Sequence, residues 1–393
     1  MKHLGTILFA LMSLVGLVRV MLERPVSGHY RVFTGAARLL QQGRDPYEYD
    51  FQSVGYWFYS PACGLFFYSL FSWMPDLIGL FVYSVASIAS IYIGVRYFLQ
   101  EVGYTEPRFQ WALALISIPV YQGLVTAKIE TIMMALFLIC IVGWWRKRYF
   151  WPSLLMGLLL EWKFQVAPMA GLFGLWLLLT RRTFWPLFFL GISAGFWHFL
   201  PAVFLGWATL QALFLHQKTS LGRFIAESFA NFDNLFRFIN AIGWNLSFQQ
   251  SLMVSGVTAV VFAGMVSWGV FNKKLPNHGA LPFLALVLGS VYCIGFSPLH
   301  QNNASILGLP VFLISAMILS SPQPKTLKWI TSLFLLLFHF SYSDLMPEPI
   351  RVALRAYSSK AVIAMVYCMV LGIWVLSNKN TQFLQGLCKS GEK

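Results

Sequence analysis

Charged residues are scarce in this sequence. Asp, Glu, Lys and Arg together make up 11% of its 393 residues, whereas 58% are hydrophobic, and the mean hydropathy is +0.66. These proportions exclude an ordinary soluble globular protein. Apolar runs close to the length of a membrane span recur from end to end, and they predict an all-α, polytopic integral membrane protein. No separate soluble domain is visible, so residues 1–393 are predicted to form one membrane domain.

Acidic residues are half as numerous as basic ones, 14 against 28, which leaves a net charge of +14. In a soluble chain this excess would suggest a nucleic acid partner. Here the basic residues fall in short runs between apolar segments, as in the cytoplasmic loops of membrane proteins. The runs lie at residues 146–148, 181–182, 273–274 and 325–328. Membrane lipids, and not nucleic acid, are therefore the predicted surroundings.

Cysteine is rare as well: there are five, without a pairing motif, and they are predicted to be free thiols. Histidine pairs at ligand spacing and Asp-x-Asp motifs are absent, so no metal site is predicted. Nucleotide-binding loops and the GxSxG motif are absent too, which leaves nucleotide-driven transport and serine hydrolysis without support. No cofactor is predicted.

Thirteen apolar segments follow one another, and they predict a bundle of about 12 transmembrane helices. They lie at about 4–22, 58–74, 77–98, 109–123, 127–145, 150–163, 166–180, 184–205, 249–271, 279–297, 303–320, 326–342 and 360–377. No small-residue cleavage site follows the first segment, which is therefore expected to remain as a span.

The distribution of basic residues predicts the topology. With the basic runs in the cytoplasm, 23–57 becomes a first outer loop and 206–248 a large outer loop. Four complete crossings after 23–57 would nevertheless leave Arg146 outside, so one early segment is expected not to cross. The candidate is 109–123, because it is short and contains Pro119.

Residues 23–61 hold the densest collection of polar and aromatic side chains. A helix is predicted there by the spacing of Tyr30, Phe33, Ala37 and Leu40, with Gly43 as its stop. Asp45-Pro46-Tyr47 predicts a turn. This stretch is interpreted as a partly helical loop on the membrane surface, with an ordinary connecting loop as the alternative.

Ionisable residues inside apolar segments are candidates for function. Lys128 and Glu130 open one segment, and their spacing of two residues predicts that they do not share a helix face. Lys163 could offer a positive charge to a phosphate group, or it and Glu161 could each meet a neighbouring helix. His300, in a polar cluster between two segments, is either functional or a hydrogen-bonded structural histidine.

Short motifs follow one another along most of the chain. They are Ala36-Ala37-Arg38-Leu39-Leu40, Gly43, Asp45-Pro46-Tyr47, Tyr59-Ser60-Pro61, Trp73-Met74-Pro75, Gly157 to Leu160 with Lys163 and Pro168, Ser228 to Leu235, and Ser297-Pro298 with His300. In this order they resemble the GT-C type membrane glycosyltransferases, and within them glycosyltransferase family 87, the polyprenol-phosphate-mannose-dependent mannosyltransferases and their relatives.

This resemblance implies a GT-C type helical bundle that transfers a sugar, mannose by default, on the outer side of the membrane. The donor would be a polyprenyl-phosphate sugar and the acceptor a lipid or glycan, and the transfer would be inverting and metal-independent. Lys163 and His300 are then candidates for binding the phosphate. Arg38, Tyr47 and Tyr59, which lie in the motifs, are further candidates for substrate binding.

The catalytic base is where the sequence departs from the family. The position of the family's early aspartate falls at or near His29, and no acid lies between Arg24 and Arg44. Asp45 or Asp50 is the first candidate for the base, and His29 is the next, because imidazole titrates near neutral pH. A loss of activity, or a different sugar, would also explain the departure.

Two functions of other classes remain open. A transporter or flippase for a polyprenyl-linked glycan should show repeated halves with paired broken helices, and no such symmetry is visible. An inactive scaffold derived from the enzyme is the second alternative. Together with the absence of a eukaryotic sorting signal, the family resemblance predicts a bacterial plasma (inner) membrane, with the active side facing outward.

Overall fold

The computed structural model describes residues 3–22, 28–49, 59–228, 234–272, 281–296, 306–340, 347–356 and 359–377. Regular structure within these ranges is entirely helical. The helices are α1 (Leu4–Leu22), α2 (Gly28–Gln41), α3 (Pro61–Cys63), α4 (Ser69–Ser72), α5 (Asp76–Val102), α6 (Glu106–Val125), α7 (Glu130–Trp145), α8 (Phe150–Trp162), α9 (Ala167–Arg181), α10 (Trp185–Phe199), α11 (Pro201–Leu205), α12 (Trp207–Ser228), α13 (Leu235–Ala241), α14 (Phe248–Phe271), α15 (Leu281–Val291), α16 (Leu309–Leu319), α17 (Lys325–Phe340), α18 (Glu348–Ala356) and α19 (Ser359–Ser377).

Among the described residues, five helices are long and apolar enough to cross a membrane. They are Leu4–Leu22, Asp76–Val102, Phe164–Arg181, Trp185–Leu205 and Phe248–Phe271. A bent pair, Glu348–Leu354 with Ser359–Ile373, would make a sixth span if it counts as one. The all-helical prediction is confirmed for this part of the chain, and a membrane protein with several spans agrees with it. The number of about 12 spans stays a prediction.

Which early segment fails to cross the membrane stays a prediction, since α6, which contains residues 109–123, is not among the five candidate spans. Residues 109–123 lie within α6, which runs for 20 residues through Pro119 and is about 30 Å long. In contrast, the apolar helix Pro61–Ser72, which contains a π-helical turn, would be only ~18 Å long. Since the hydrocarbon core is ~30 Å thick, Pro61–Ser72 is a second candidate for the early segment that does not cross, beside 109–123.

Backbone signals end the helices where glycine permits it. α2 stops before Gly43, which adopts a φ of 68°, and the amide of Arg44 donates to the carbonyl of Leu39 at 2.8 Å. The predicted stop at Gly43 is thus confirmed. At the N-terminus of α14, Ser247 and Gln250 form a capping box.

Glycines allow the central helices to approach closely. α7 packs on α5, α9 on α15, and α8 on α10. A Cβ atom added to Gly94 of α5 would lie 2.8 Å from the Ala135 carbonyl oxygen of α7. Gly157 of α8 faces Ser193 of α10 in the same way. Small residues at such contacts are typical of helices packed in membranes. As a result α7 is buried on almost every side, which explains its apolar surface all round.

Replacement of Gly94 by Ala is therefore expected to destabilise the protein by about 1–3 kcal/mol, because the added methyl group overlaps the α7 backbone. The measurement is the thermal unfolding midpoint of the detergent-solubilised protein. Gly191→Ala in α10 is the matched control, since, its own stretch of helix apart, no atom in the described part of the chain lies within 4 Å of its added Cβ. Equal midpoints for the two variants would contradict the proposed close packing.

Candidate active site

α2 is fixed across the corner between α4 and α5. The Arg38 guanidinium donates from Nε to the Ser72 carbonyl at 2.7 Å and from Nη2 to Asp76 Oδ1 at 2.8 Å. One turn earlier, the Phe33 ring stacks on Tyr68, with the ring centroids 4.5 Å apart. These contacts place the first turn of α2, and with it His29.

The loop after α2 is fixed by Tyr47. Its ring is buried, and its hydroxyl donates to the Tyr59 carbonyl at 2.6 Å, just before α3. The Tyr59 ring in turn meets Phe33 edge-on at 5.2 Å. Tyr47 therefore holds the loop against α2, as Arg38 holds the helix. A role of Arg38, Tyr47 or Tyr59 in substrate binding stays a prediction.

A buried cluster of opposite charges forms where α7 begins and α8 ends. Glu130 is the first residue of α7, and its side chain is 2% exposed. Lys163 caps α8 in an extended conformation, and its Nζ donates to Glu130 Oε1. The Lys163 side chain is 11% exposed. The paired charges therefore lie almost entirely away from solvent.

Lys128 lies within electrostatic range of this pair and is counted with it as one cluster. The prediction that Lys128 and Glu130 do not share a helix face stays untested. The prediction assumed one continuous helix, but α7 begins only at Glu130, after a turn in which Ala127 has a φ of 47°. Lys128 lies in this turn and is only 4% exposed. Burial lowers the pKa of Lys128 to about 7, and Glu130 acts in the opposite direction.

His29, at the start of α2, lies within electrostatic range of this cluster. Its side chain is exposed, yet protein surrounds it closely, and this burial lowers the pKa of His29 to about 4. The positive charge of Lys128 is the next cause, followed by Glu130, which raises the pKa, and Lys163. The structure thus brings together two predicted site residues, His29 and Lys163.

The charge balance of the cluster favours an anion. With both lysines protonated and Glu130 ionised, the three side chains carry one net positive charge. Among the described residues, the second oxygen of Glu130, Oε2, has no hydrogen-bond partner. A buried ionic group of this kind is unfavourable unless its charges are compensated. An anion bound next to the two lysines would balance this net positive charge, whereas Glu130 Oε2 requires a hydrogen-bond donor.

Asp45 has its hydrogen-bond partners away from the cluster of Lys128, Glu130 and Lys163. Its Oδ1 accepts from the amide of Tyr47 at 2.8 Å, which forms the predicted turn, and its Oδ2 pairs with His216 Nδ1 of α12. The hydrogen bond with Asp45 raises the pKa of His216. Glu48 lies 3.7 Å from the same nitrogen. In the described part of the chain, the contacts of Asp45 are therefore with its own turn and with α12.

Three predicted features remain predictions. Asp50 and His300 lie outside the described residues. The ligand atoms of Asp45, Glu48 and His216 all lie within 4.8 Å of one another, so a divalent cation has enough donors there. Independence from a metal therefore also stays a prediction.

The sequence singled out Lys128 and Glu130 but gave them no role in the site. The sequence does contain a pattern that indicates a role, because two opposite charges lie at the start of an apolar segment. What it could not reveal was the partner, because Lys163 follows Glu130 by 33 residues.

Asp45→Asn and His216→Gln are expected to have similar effects, since both variants weaken the same partly exposed pair. Each should lower stability by about 1 kcal/mol or less, and sugar transfer should fall by less than about tenfold. The loss of stability in the double variant should be no greater than the sum of the losses in the two single variants. Unfolding midpoints and initial transfer rates measure this. A loss of transfer in Asp45→Asn at least about 100-fold greater than in His216→Gln would identify Asp45 as the base.

Comparison with known proteins assigns the chain to a family. Residues 57–298 match the sequence model of Glycosyltransferase family 87, which amounts to 242 of 393 residues, or about 62% of the chain. The matched region contains Lys128, Glu130 and Lys163. No curated protein matches the sequence significantly. On the strength of this match over more than half its length, the chain belongs to glycosyltransferase family 87.

Proposed function

We propose that the protein transfers a sugar, by default mannose, from a polyprenyl-phosphate donor to a lipid or glycan acceptor, with inversion and without a metal. The observation that supports this most is the buried cluster of Lys128, Glu130 and Lys163 within electrostatic range of an accessible His29. It joins a site for a phosphate anion to a side chain that can accept a proton.

The proposed reaction is a single displacement. An acceptor hydroxyl oxygen forms a bond to the anomeric carbon, while the bond from that carbon to the phosphate oxygen breaks. The hydroxyl proton passes to the imidazole of His29, and the leaving group departs as polyprenyl phosphate with one additional negative charge. This charge develops in the transition state, so positive groups near it accelerate the reaction.

Each residue of the cluster then has a distinct task. Lys163 and Lys128 stabilise the phosphate, and Glu130 holds the Lys163 ammonium in place. His29, with a pKa of about 4, is neutral near pH 7 and ready to accept a proton. Such a low pKa makes it a weak base, but a bound phosphate anion favours the imidazolium form and so raises the pKa in the complex.

The position of the cluster supports an outward-facing site. Glu130 begins α7 and Lys163 follows α8, whereas the basic run Arg146–Arg148 lies at the opposite ends of these two helices. If this run faces the cytoplasm, as basic residues between spans usually do, the cluster lies at the outer side. We propose a bacterial plasma membrane and a GT-C type bundle of about 12 spans on this basis and on the resemblance.

The test is sugar transfer by the purified full-length protein. Radiolabelled polyprenyl-phosphate mannose is supplied with a membrane glycolipid extract, with and without EDTA, and parallel reactions contain the glucose, galactose and arabinose donors. We expect labelled glycolipid, formed equally in the presence of EDTA. No transfer from any of the four donors would overturn the proposal and favour an inactive scaffold, or a transporter of the glycan. Transfer that EDTA abolishes would overturn its metal-free part.

A further inference from the structure

A second pair of a carboxylate and a histidine lies next to the proposed centre. His198 Nδ1, near the end of α10, lies 3.2 Å from Glu161 Oε1 and 3.4 Å from Oε2, at the end of α8. The Glu161 side chain is 13% exposed and the His198 side chain 39%. The imidazole also stacks on Phe214 of α12, with the ring centroids 4.2 Å apart and the planes 7° from parallel. Both the position and the plane of the ring are thus fixed.

These contacts decide which nitrogen of His198 is available. An ionised carboxylate can only accept hydrogen bonds. His198 Nδ1 therefore carries a hydrogen and donates the hydrogen bond to Glu161. In the neutral ring Nε2 is then an acceptor, on the part of the ring away from Glu161. The side chain is more than one third exposed, so part of the ring is open to a ligand.

Aromatic rings lie next to His198 and along the helices beside it, and Phe199 meets the imidazole edge-on at 5.0 Å. Phe66 meets Trp197 at 5.4 Å and Phe204 at 5.7 Å, which joins the Pro61–Ser72 segment to α10 and α11. Phe199 and Trp207 lie 5.8 Å apart, and each is about half exposed. A few polar groups among aromatic faces are typical of a ligand site, in which the rings supply contact area and the polar groups orientation.

The pair is close to the reacting centre. Glu161 and Lys163 are two residues apart at the end of α8, and α3 packs on both α8 and α10. Glu161 of the pair therefore lies at the same end of α8 as Lys163 of the cluster.

Resting on the proposed function, we propose that the Glu161–His198 pair binds a hydroxyl group of the sugar acceptor, with a sugar ring against Phe199 and Trp207. Glu161 acts as a positioning residue that sets the tautomer of His198, and His198 Nε2 accepts the hydrogen bond. An isoprenoid chain would use the rings but would give His198 Nε2 no hydrogen-bond donor. The polar pair is therefore what favours a sugar over the lipid tail of the donor.

The test separates binding of the acceptor from binding of the donor. A panel of octyl glycosides serves as acceptors, and the KM for the best of them and the KM for the polyprenyl-phosphate donor are measured separately. His198→Ala and Glu161→Gln are each expected to raise the acceptor KM by about tenfold, which corresponds to one hydrogen bond, and to leave the donor KM within about twofold. Trp207→Ala should act in the same direction.

Glu101→Gln is the matched control. Glu101 is a buried carboxylate that pairs with Arg146 at the opposite end of the bundle, so its replacement makes the same chemical change away from the site. It is expected to leave both KM values unchanged. A rise confined to the donor KM in the Glu161 and His198 variants would overturn the proposal and assign the surface to the lipid tail. Unchanged KM values in both variants would overturn it and leave the pair a structural contact.

Equilibrium binding keeps this test apart from that of the proposed function. If the wild-type protein transfers no sugar, binding of the tritiated octyl glycosides still reports on the subsite. We then expect saturable binding of at least one glycoside, weakened about tenfold by His198→Ala and unaffected by Glu101→Gln. The absence of saturable binding by the wild type, or equal binding by wild type and His198→Ala, would overturn the acceptor subsite.

Discussion

Replacement of Lys163 by Met is expected to lower kcat/KM for sugar transfer by at least about 10³-fold. Met keeps the length and the apolar stem of the side chain but removes the positive charge beside the leaving phosphate. Removal of one preorganised electrostatic group from an active site commonly reduces the rate by about 10²–10³-fold. The uncompensated charge of Glu130 adds to the loss, because a carboxylate left alone in this position repels the phosphate.

The single variant also affects stability, and this effect has to be separated from catalysis. Removing one partner of a buried ion pair destabilises a protein by about 3–5 kcal/mol, because the other charge stays buried. The double variant Lys163→Met/Glu130→Gln removes both charges. We expect it to recover most of the unfolding midpoint of the wild type but to remain inactive. Transfer by the double variant within about tenfold of the wild type would show that Lys163 is not needed for phosphate stabilisation.

The ion pair at the other end of α7 supplies the matched control. Arg146 donates to Glu101 at 2.8 Å and lies against the Tyr97 hydroxyl at 3.0 Å. The double variant Glu101→Gln/Arg146→Met makes the same pair of substitutions away from the proposed site. It should lower the unfolding midpoint slightly, because Arg146 is partly exposed, and leave kcat/KM unchanged within about twofold.

The sequence predicts those features of the site that depend on adjacent residues, and not the contacts between residues far apart in the chain. The helical character, the stop at Gly43 and the turn at Asp45 follow from local signals, because each depends on a few adjacent residues. Lys163 stands out since a charge within an apolar segment is unfavourable without a partner. Its partner could not be predicted, because it comes from another helix.

The interpretation of Asp45 illustrates the same limit. Its acidity and its position in the first outer loop made it a candidate base, and nothing near it in the sequence indicates a partner. His216, which pairs with the Asp45 carboxylate, is 171 residues away in the sequence. Likewise, the pairing of Glu161 with His198 depends on how α8 and α10 pack, which in turn depends on Gly157. A single sequence contains no direct record of such packing.

Replacement of His29 by Ala is expected to lower the rate of sugar transfer by about 10²–10⁴-fold, the usual contribution of a general base. His29→Gln should be as inactive, because an amide cannot accept the proton. If the donor binds mainly through the two lysines, its KM should change little in both variants. The measurement is kcat and the donor KM from initial rates. Wild-type kcat in His29→Ala would return the role of the base to Asp45 or Asp50.

The pH dependence of kcat/KM identifies the two groups more sharply. This quantity reports the pKa values of the free enzyme, so protonation of His29 should reduce it only below about pH 4, far from the ordinary histidine value of about 6.5. Deprotonation of Lys128 should reduce it above about pH 7. A bell-shaped profile with limbs near these two values is therefore expected.

Lys128→Met tests the assignment of both limbs at once. It should remove the alkaline limb, because the titrating ammonium is gone. It should also move the acid limb to higher pH, since the positive charge of Lys128 is one cause of the lowered pKa of His29. The movement should be partial, because burial is the larger cause and remains. The alkaline limb could disappear while the acid limb stays in place. The charge of Lys128 would then have no effect on the pKa of the group that titrates at low pH, and that group would not be His29.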